Sequence, residues 1–159
     1  MADLKVISSA QEIEFRPILA RDIPDLAAIE RSWEGSRWTR AMFERELTLP
    51  ISVGRVAERN GQILGFGVLW VVTEIAQLLE FAVASSYQRQ GVGTGILQSL
   101  IKAARLKGCE KMELEFHEEN FPAQSFYEKM GFKITGRRRR FYDIGQGRMS
   151  DAVLMECLL

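Results

Sequence analysis

Cysteine and histidine are scarce in this sequence: Cys109, Cys157 and His117 are all there is in 159 residues. They form no CxxC pair and no zinc-ligand spacing, which argues against a metal centre or a disulfide framework. So few thiols suit a reducing cytoplasm. Charge of one sign is missing as well. Lys plus Arg and Asp plus Glu each number 21, so the formal net charge is zero and nothing draws the whole chain to nucleic acid or an anionic membrane. Long apolar runs are absent. The longest, Ile63 to Val72, contains Gly65 and Gly67 and is too short to span a bilayer. Met1 to Gln11 lacks the basic-then-apolar order of a secretory signal. There is no repeat, no Pro/Ser linker and no low-complexity segment; the only biased run is Arg137 to Arg140. These absences lead to the expectation of one cytoplasmic domain over 1–159, with 1–11 as a flexible lead-in.

What is present is an ordinary globular composition, 47% hydrophobic and 26% charged, enough to bury a core. Glu12 to Ile18 alternates and reads as a strand. Asp22 can cap a helix with Pro24 in its first turn and Leu26, Ala27 and Ile29 as its apolar stripe. A short helix follows Thr39, using Met42, Phe43 and Leu47. Ser52 to Glu58 and Gln62 to Val72 flank Asn60-Gly61, a strong hairpin signal. Leu78 to Ala84 is a further strand. Gly91 to Leu106 is helical, with Ile96, Leu97, Leu100, Ile101 and Ala104 on one face, and Gly108 stops it. Lys111 to His117 alternates strictly, Met112, Leu114 and Phe116 opposite Glu113, Glu115 and His117. A helix over Asn120 to Met130 ends at Gly131, and Phe132 to Arg138 and Ala152 to Leu158 are closing strands. The strand–helix–strand step around Gly91 to Leu106 requires a parallel crossover and the hairpin requires antiparallel pairing. A mixed α/β sheet with helices on both faces follows.

The chemistry begins at Gln88-Arg89-Gln90-Gly91-Val92-Gly93-Thr94, between a strand and a helix. N–H groups at a helix start are unpaired and carry the positive end of the helix dipole. Glycines let that backbone approach a bulky anion, and Arg89 can add a charged contact, so a diphosphate fits. The glycine spacing is not that of a dinucleotide-binding turn, and the Gly-Lys-Ser/Thr of a P-loop is absent. A plain flexible turn before an amphipathic helix is the other reading. The segment Ala82-Val83 followed by Gln88 to Gly93 resembles motif A of the Gcn5-related N-acetyltransferase (GNAT) superfamily. Asn120 to Phe132, NFPAQSFYEKMGF, is similar to its motif B. The resemblance implies a GNAT fold: a mostly antiparallel sheet of about seven strands with about four helices, splayed at its central parallel strands. It also implies acetyl-CoA as co-substrate and no metal. Phe81, Ala82 and Val83 would pair with the pantetheine arm. Arg89, Gln90, Gly91, Val92, Gly93 and Thr94 would hold the pyrophosphate, with Asn120 and Tyr127 as further coenzyme A contacts.

Acyl transfer to an amine needs the amine neutral and the departing thiolate protonated, hence a base and an acid. Glu115 is a candidate base, with Glu113 on the same face and Glu80 on an apolar strand as rivals; from pattern alone each is equally a solvated strand carboxylate. Tyr127 is a candidate acid, although an aromatic beside Phe126 and Phe132 also reads as packing. Asn120 also reads as a helix cap. His117 titrates near neutrality but stands alone. The resemblance favours Glu115, five residues before the motif B asparagine, as proton acceptor and Tyr127 as proton donor. Arg137 to Leu159 is similar to the RimI-type branch, which acetylates protein N-termini. There a basic pair and two aromatics (here Arg139-Arg140 and Phe141-Tyr142) precede Asp151-Ala152. This implies an N-terminal alanine of a small-subunit ribosomal protein as acceptor. Phe141, Tyr142 and, from the opposite wall over Arg31 to Phe43, Trp38 would contact it; Trp33 and Trp38 read equally as core. Phe141 departs from the tyrosine frequent in that branch. No direct nucleic-acid or membrane partner is expected. Acetylation of a small-molecule amine or a lysine, and a non-catalytic acyl-CoA-binding module, stay open.

Overall fold

The computed structural model describes residues 12–33 and 38–159. The lead-in expected over 1–11, and 34–37 of the expected acceptor wall, lie outside them. The order is β1 (Glu14–Pro17), a 3-10 turn (Ala20–Asp22), α1 (Ile23–Arg31), α2 (Arg40–Glu46), β2 (Ser52–Arg59), β3 (Gln62–Val72), β4 (Ile75–Val83), a second 3-10 turn (Ser85–Tyr87), α3 (Val92–Leu106), β5 (Lys111–His117), α4 (Phe121–Lys129), β6 (Lys133–Asp143) and β7 (Met149–Leu158). Strands and helices follow the order expected from the sequence. Some boundaries differ. β4 begins at Ile75, and β6 and β7 extend through segments that read as loop. β6 is an exposed edge strand, so its arginines need not alternate with apolar residues.

The seven strands form one sheet in the order β1-β2-β3-β4-β5-β7-β6. Every neighbouring pair is antiparallel except β4 with β5. Asn60 and Gly61 both have positive φ, 55° and 76°, as a two-residue hairpin turn of this hand demands. One face of the sheet packs on α3 and α4 through Leu64, Leu69, Ile96, Leu97, Leu100, Met112, Leu114 and Met155. The other packs on α1 and α2 through Leu26, Ile29, Phe43, Val56, Phe66 and Val68. α3 lies close to the sheet because three glycines leave room. A Cβ on Gly65 or Gly67 would stand 3.0 or 2.7 Å from Ile96 or Leu100, and one on Gly95 would enter the Phe15 ring at 2.0 Å.

Asp22 was expected as a helix cap, but its carboxylate makes no cap bond to α1. It accepts the Leu19 N–H at 2.7 Å and two guanidinium bonds from Arg16 at 2.8 and 2.9 Å. Arg16 also donates to Glu58 on β2. Burial by itself pushes the Asp22 carboxyl up. The bonds from Arg16 and Leu19 overcome it and hold the group below the ordinary carboxylate value. The same bond to Asp22 raises the Arg16 guanidinium. The charge that looked like a cap therefore ties β1, the first 3-10 turn and β2 together.

β4 and β5 stay paired over only three positions, Ile75↔Lys111, Ala76↔Met112 and Gln77↔Glu113. Beyond Gln77 they part. The cause is one residue: Leu69 pairs with Leu78 and Val68 with Glu80, so Leu79 has no partner on β3. Such a bulge bends a strand and reverses which face its later side chains meet. Accordingly Ala76 and Leu78 join the α3 face, whereas Ala82 joins the α1 face and Phe81 and Val83 turn back to α3.

Candidate active site

A cleft of about 270 Å³ opens where β4 and β5 separate. Its walls are Leu78 to Phe81 of β4, Leu114 to Phe116 of β5, and Asn120, Ala123, Phe126 and Tyr127 at the start of α4. By strand alternation Glu115 lies opposite Leu114 and Phe116, on the α1 side. The Leu79 bulge puts Glu80 on that side too, next to Ala82. Tyr127 belongs to the α3 side. The cleft thus passes through the gap in the sheet, with two carboxylates toward one mouth and a phenol toward the other.

Tyr127 is 8% exposed and surrounded by four phenylalanines, Phe81, Phe116, Phe126 and Phe132, with centroids 5.2 to 6.4 Å away. Its hydroxyl has no hydrogen-bond partner among the described residues. Burial, and then the negative charge of Glu80, push the phenol above the ordinary tyrosine value, so it stays protonated at neutral pH. Glu115 is about a third exposed and meets the Arg138 guanidinium of β6 at 3.9 Å. Glu113 sits where β4 and β5 are still paired and binds Lys111 at 2.9 Å, away from the cleft. Of the two rivals to Glu115, geometry removes Glu113 and retains Glu80. Asn120 caps α4, its Oδ1 accepting the Ala123 N–H at 3.2 Å, while it also lines the cleft.

The glycine turn adjoins this cleft. Arg89 and Gly91 both have positive φ, 59° and 82°, and Gly91 immediately precedes α3. A left-handed residue there turns the chain sharply onto the helix start, where the N–H groups of Val92, Gly93 and Thr94 lack helical partners. A Cβ placed on Gly93 would lie 3.5 Å from Val83 and 3.6 Å from Phe81 and Phe126, in ordinary contact. The anion-binding turn, the Phe81-Ala82-Val83 strand and the α4 aromatics therefore share one neighbourhood. Beyond Gln77 the β5-facing edge of that strand has no β5 partner.

Across residues 22–132 the chain matches the model of the Acetyltransferase (GNAT) family. The chain belongs to the GNAT family. This acetyltransferase is 32% identical over 139 residues to the ribosomal protein bS18-alanine N-acetyltransferase of Escherichia coli K12, covering 84% of this chain and 89% of that one. It is 33% identical over 158 residues to an N-alpha-acetyltransferase of Sulfurisphaera tokodaii, covering 91% and 92%. The crystal structure of the Escherichia coli ribosomal-protein-S18-alanine N-acetyltransferase superposes with a TM-score of 0.84 at 26% identity, over 92% of this chain and 94% of that one. The enzyme is an N-acetyltransferase and its acyl donor is acetyl-CoA.

Trp38, Phe141 and Tyr142, expected as acceptor contacts, are not among the cleft walls. Trp38 packs against Phe43 at 5.2 Å, its N–H 3.5 Å from Glu30 Oε1. Arg139, Arg140 and Phe141 form a bulge on β6 between the pairs Arg138↔Ala152 and Tyr142↔Ser150. Arg140 has a positive φ of 50°, and its N–H donates to Asp151 Oδ1 at 2.8 Å. Phe141 lies against Tyr142 and under the Arg138 guanidinium, and Tyr142 meets the His117 ring edge-on at 6.1 Å. His117 Nδ1 is buried without a hydrogen-bond partner among the described residues. Cys109 is core, with burial raising its thiol, and neither cysteine lines the cleft. Sequence reading did not find the cleft position of Glu80. Its signal, an apolar strand one residue out of phase, was present in Leu78-Leu79-Glu80-Phe81.

Proposed function

We propose that this enzyme transfers the acetyl group of acetyl-CoA to the α-amine of a protein N-terminus, an N-terminal alanine of a small-subunit ribosomal protein. In this reading the whole chain, 1–159, acts as one cytoplasmic catalytic domain. The observation that carries it is the likeness, over most of both chains, to enzymes named for acetylating that alanine. No helix among the described residues is long and apolar enough to cross a membrane.

The coenzyme, held by the 89–94 turn, the edge of Phe81 to Val83 and Asn120, supplies the acetyl group as a thioester. The amine enters from the carboxylate side. Glu115 takes its proton directly or through one water, and the freed lone pair forms the C–N bond as the C–S bond breaks. Tyr127 gives its proton to the departing sulfur, and the tyrosinate recovers one as the new amide nitrogen sheds its second proton, directly or through water. Holding both reactants in one cleft supplies much of the rate, and no covalent enzyme intermediate is needed. Phe141 and Tyr142 on β6, with Trp38 opposite, would guide the peptide. Acetylation of a peptide array varying the first residues tests the acceptor. Turnover concentrated on alanine-starting peptides is the expected result. Turnover of polyamines or internal lysines without any peptide N-terminus would refute it.

A further inference from the structure

We infer that the notch between α2 and the start of β2 is a second ligand site, which takes a small organic carboxylate through Arg55 and Lys107. It lies apart from the catalytic cleft and shares no lining residue with it.

The notch exists because β1 is short. β1 pairs with β2 only as far as Pro17↔Arg55, so Ser52, Val53 and Gly54 have no partner on β1. The chain leaves the sheet after Pro17, and a space of about 290 Å³ remains between Ile18, α2 and the bare edge of β2. That is as large as the catalytic cleft, about 270 Å³. It stands at the small end of ligand sites, which run from roughly 300 to 1,000 Å³.

The charges of the lining are unbalanced. They are Arg55, Lys107 and Glu46. Glu46 is engaged, its Oε2 accepting the Trp70 indole N–H at 2.8 Å. Neither Arg55 nor Lys107 forms an ion pair with a carboxylate among the described residues. Arg55 is half-buried, and its guanidinium reaches a neutral acceptor, the Gly54 carbonyl at 2.9 Å. Burial pulls that guanidinium below its ordinary value, and no acidic neighbour offsets the effect. It stays charged at neutral pH all the same. Arg16, on the adjoining strand, shows the contrast: Asp22 and Glu58 both meet its guanidinium.

A partly desolvated cation without an acid costs stability. A ligand carboxylate would supply the missing acceptors, in a geometry that matches the guanidinium fork. Two cations against one carboxylate favour a monoanion. The apolar part of the lining, Ile18, Phe43, Leu47, Val53 and Val68, favours a short hydrocarbon body on it.

The test uses the full chain saturated with coenzyme A, which fills the catalytic site. Hexanoate and hexanol share a body and differ in charge. By calorimetry hexanoate should bind about ten-fold tighter than hexanol, or more. The amide shifts it causes in NMR spectra should fall on Leu47 to Arg55 and not on Leu78 to Phe81. Arg55→Met keeps the apolar stem and removes the charge. It should bring the two ligands within about two-fold. It should also raise the melting temperature of the ligand-free protein, because an uncompensated charge has gone; a lower one would make Arg55 structural and count against the site. No saturable binding of hexanoate, equal binding of both ligands, shifts confined to the catalytic cleft, or a gap that survives in Arg55→Met overturns the inference. The wild-type comparison needs no variant, so a chain that fails to fold does not shield it.

Discussion

At the scale of single residues, Glu115 and Tyr127 carry opposite proton duties from opposite faces of one gap in the sheet. If Glu115 removes the proton, Glu115→Gln should lower kcat/KM by about a hundred-fold near pH 7. The loss should shrink toward about ten-fold near pH 9, where an amine of pKa ~8 is already largely neutral. A pH–rate profile parallel to wild type would count against the assignment. For Tyr127 the expected signature is a split. Tyr127→Phe should slow turnover by about ten- to a hundred-fold while coenzyme A affinity, read by calorimetry, stays within about two-fold. Full activity would demote Tyr127 to one more ring in the aromatic cluster it shares with Phe116 and Phe126. Because burial raises the phenol, no alkaline loss of activity below the ordinary tyrosine value should come from it.

At the scale of elements, the fold works by close approach and by one misplaced residue. Helix α3 can present its N-terminus to the cleft only because Gly95 leaves room for the Phe15 ring. Gly95→Ala should therefore destabilise the protein by about 2 kcal/mol in chemical denaturation, and Phe15→Leu in the same chain should recover part of that loss. Additive losses would show that the ring is free to move aside. At the other side of the sheet, Arg16 and Asp22 anchor the entry to α1. The folded-state carboxyl of Asp22 is depressed, so its contribution is present above the unfolded value of about 3.9 and is lost as pH falls below that value. Thermal melting of wild type should fall between about pH 5 and pH 3. Asp22→Asn should cost about 2 kcal/mol at neutral pH and flatten that acid limb, since it leaves the Arg16 guanidinium with Glu58 as its remaining carboxylate. An unchanged limb would assign acid unfolding to other carboxylates. The glycines at 65, 67 and 95 and the Arg16–Asp22–Glu58 network were not legible in sequence. Each depends on what another strand or helix brings opposite, and local pattern carries no such information.

At the scale of the whole molecule, the sheet is two blocks, β1 to β4 and β5 to β7, joined by three parallel residue pairs and a shared core under α3 and α4. The site lies at the seam, so ligand binding should be felt there first. Coenzyme A should slow amide exchange over Leu78 to Val83 and over the 89–94 turn, and leave β6 and the far end of β7 nearly unchanged. Uniform protection across the sheet, or none at the turn, would contradict the expected binding mode. The sequence by itself determined the order of strands and helices, the Asn60-Gly61 hairpin, the glycine turn and the family, because those signals are local: periodicity, caps, turn residues and two short motifs. It also put Glu115 on the polar side of β5, since strict alternation leaves no freedom there. Tertiary structure alone decided that Glu80 lines the cleft and Glu113 does not, that Trp38 lies half-buried against Phe43, and that Arg138 meets Glu115. The physical reason is register. One unpaired residue at Leu79 reverses a face and bends a strand, and only the pairing with β3 reveals it.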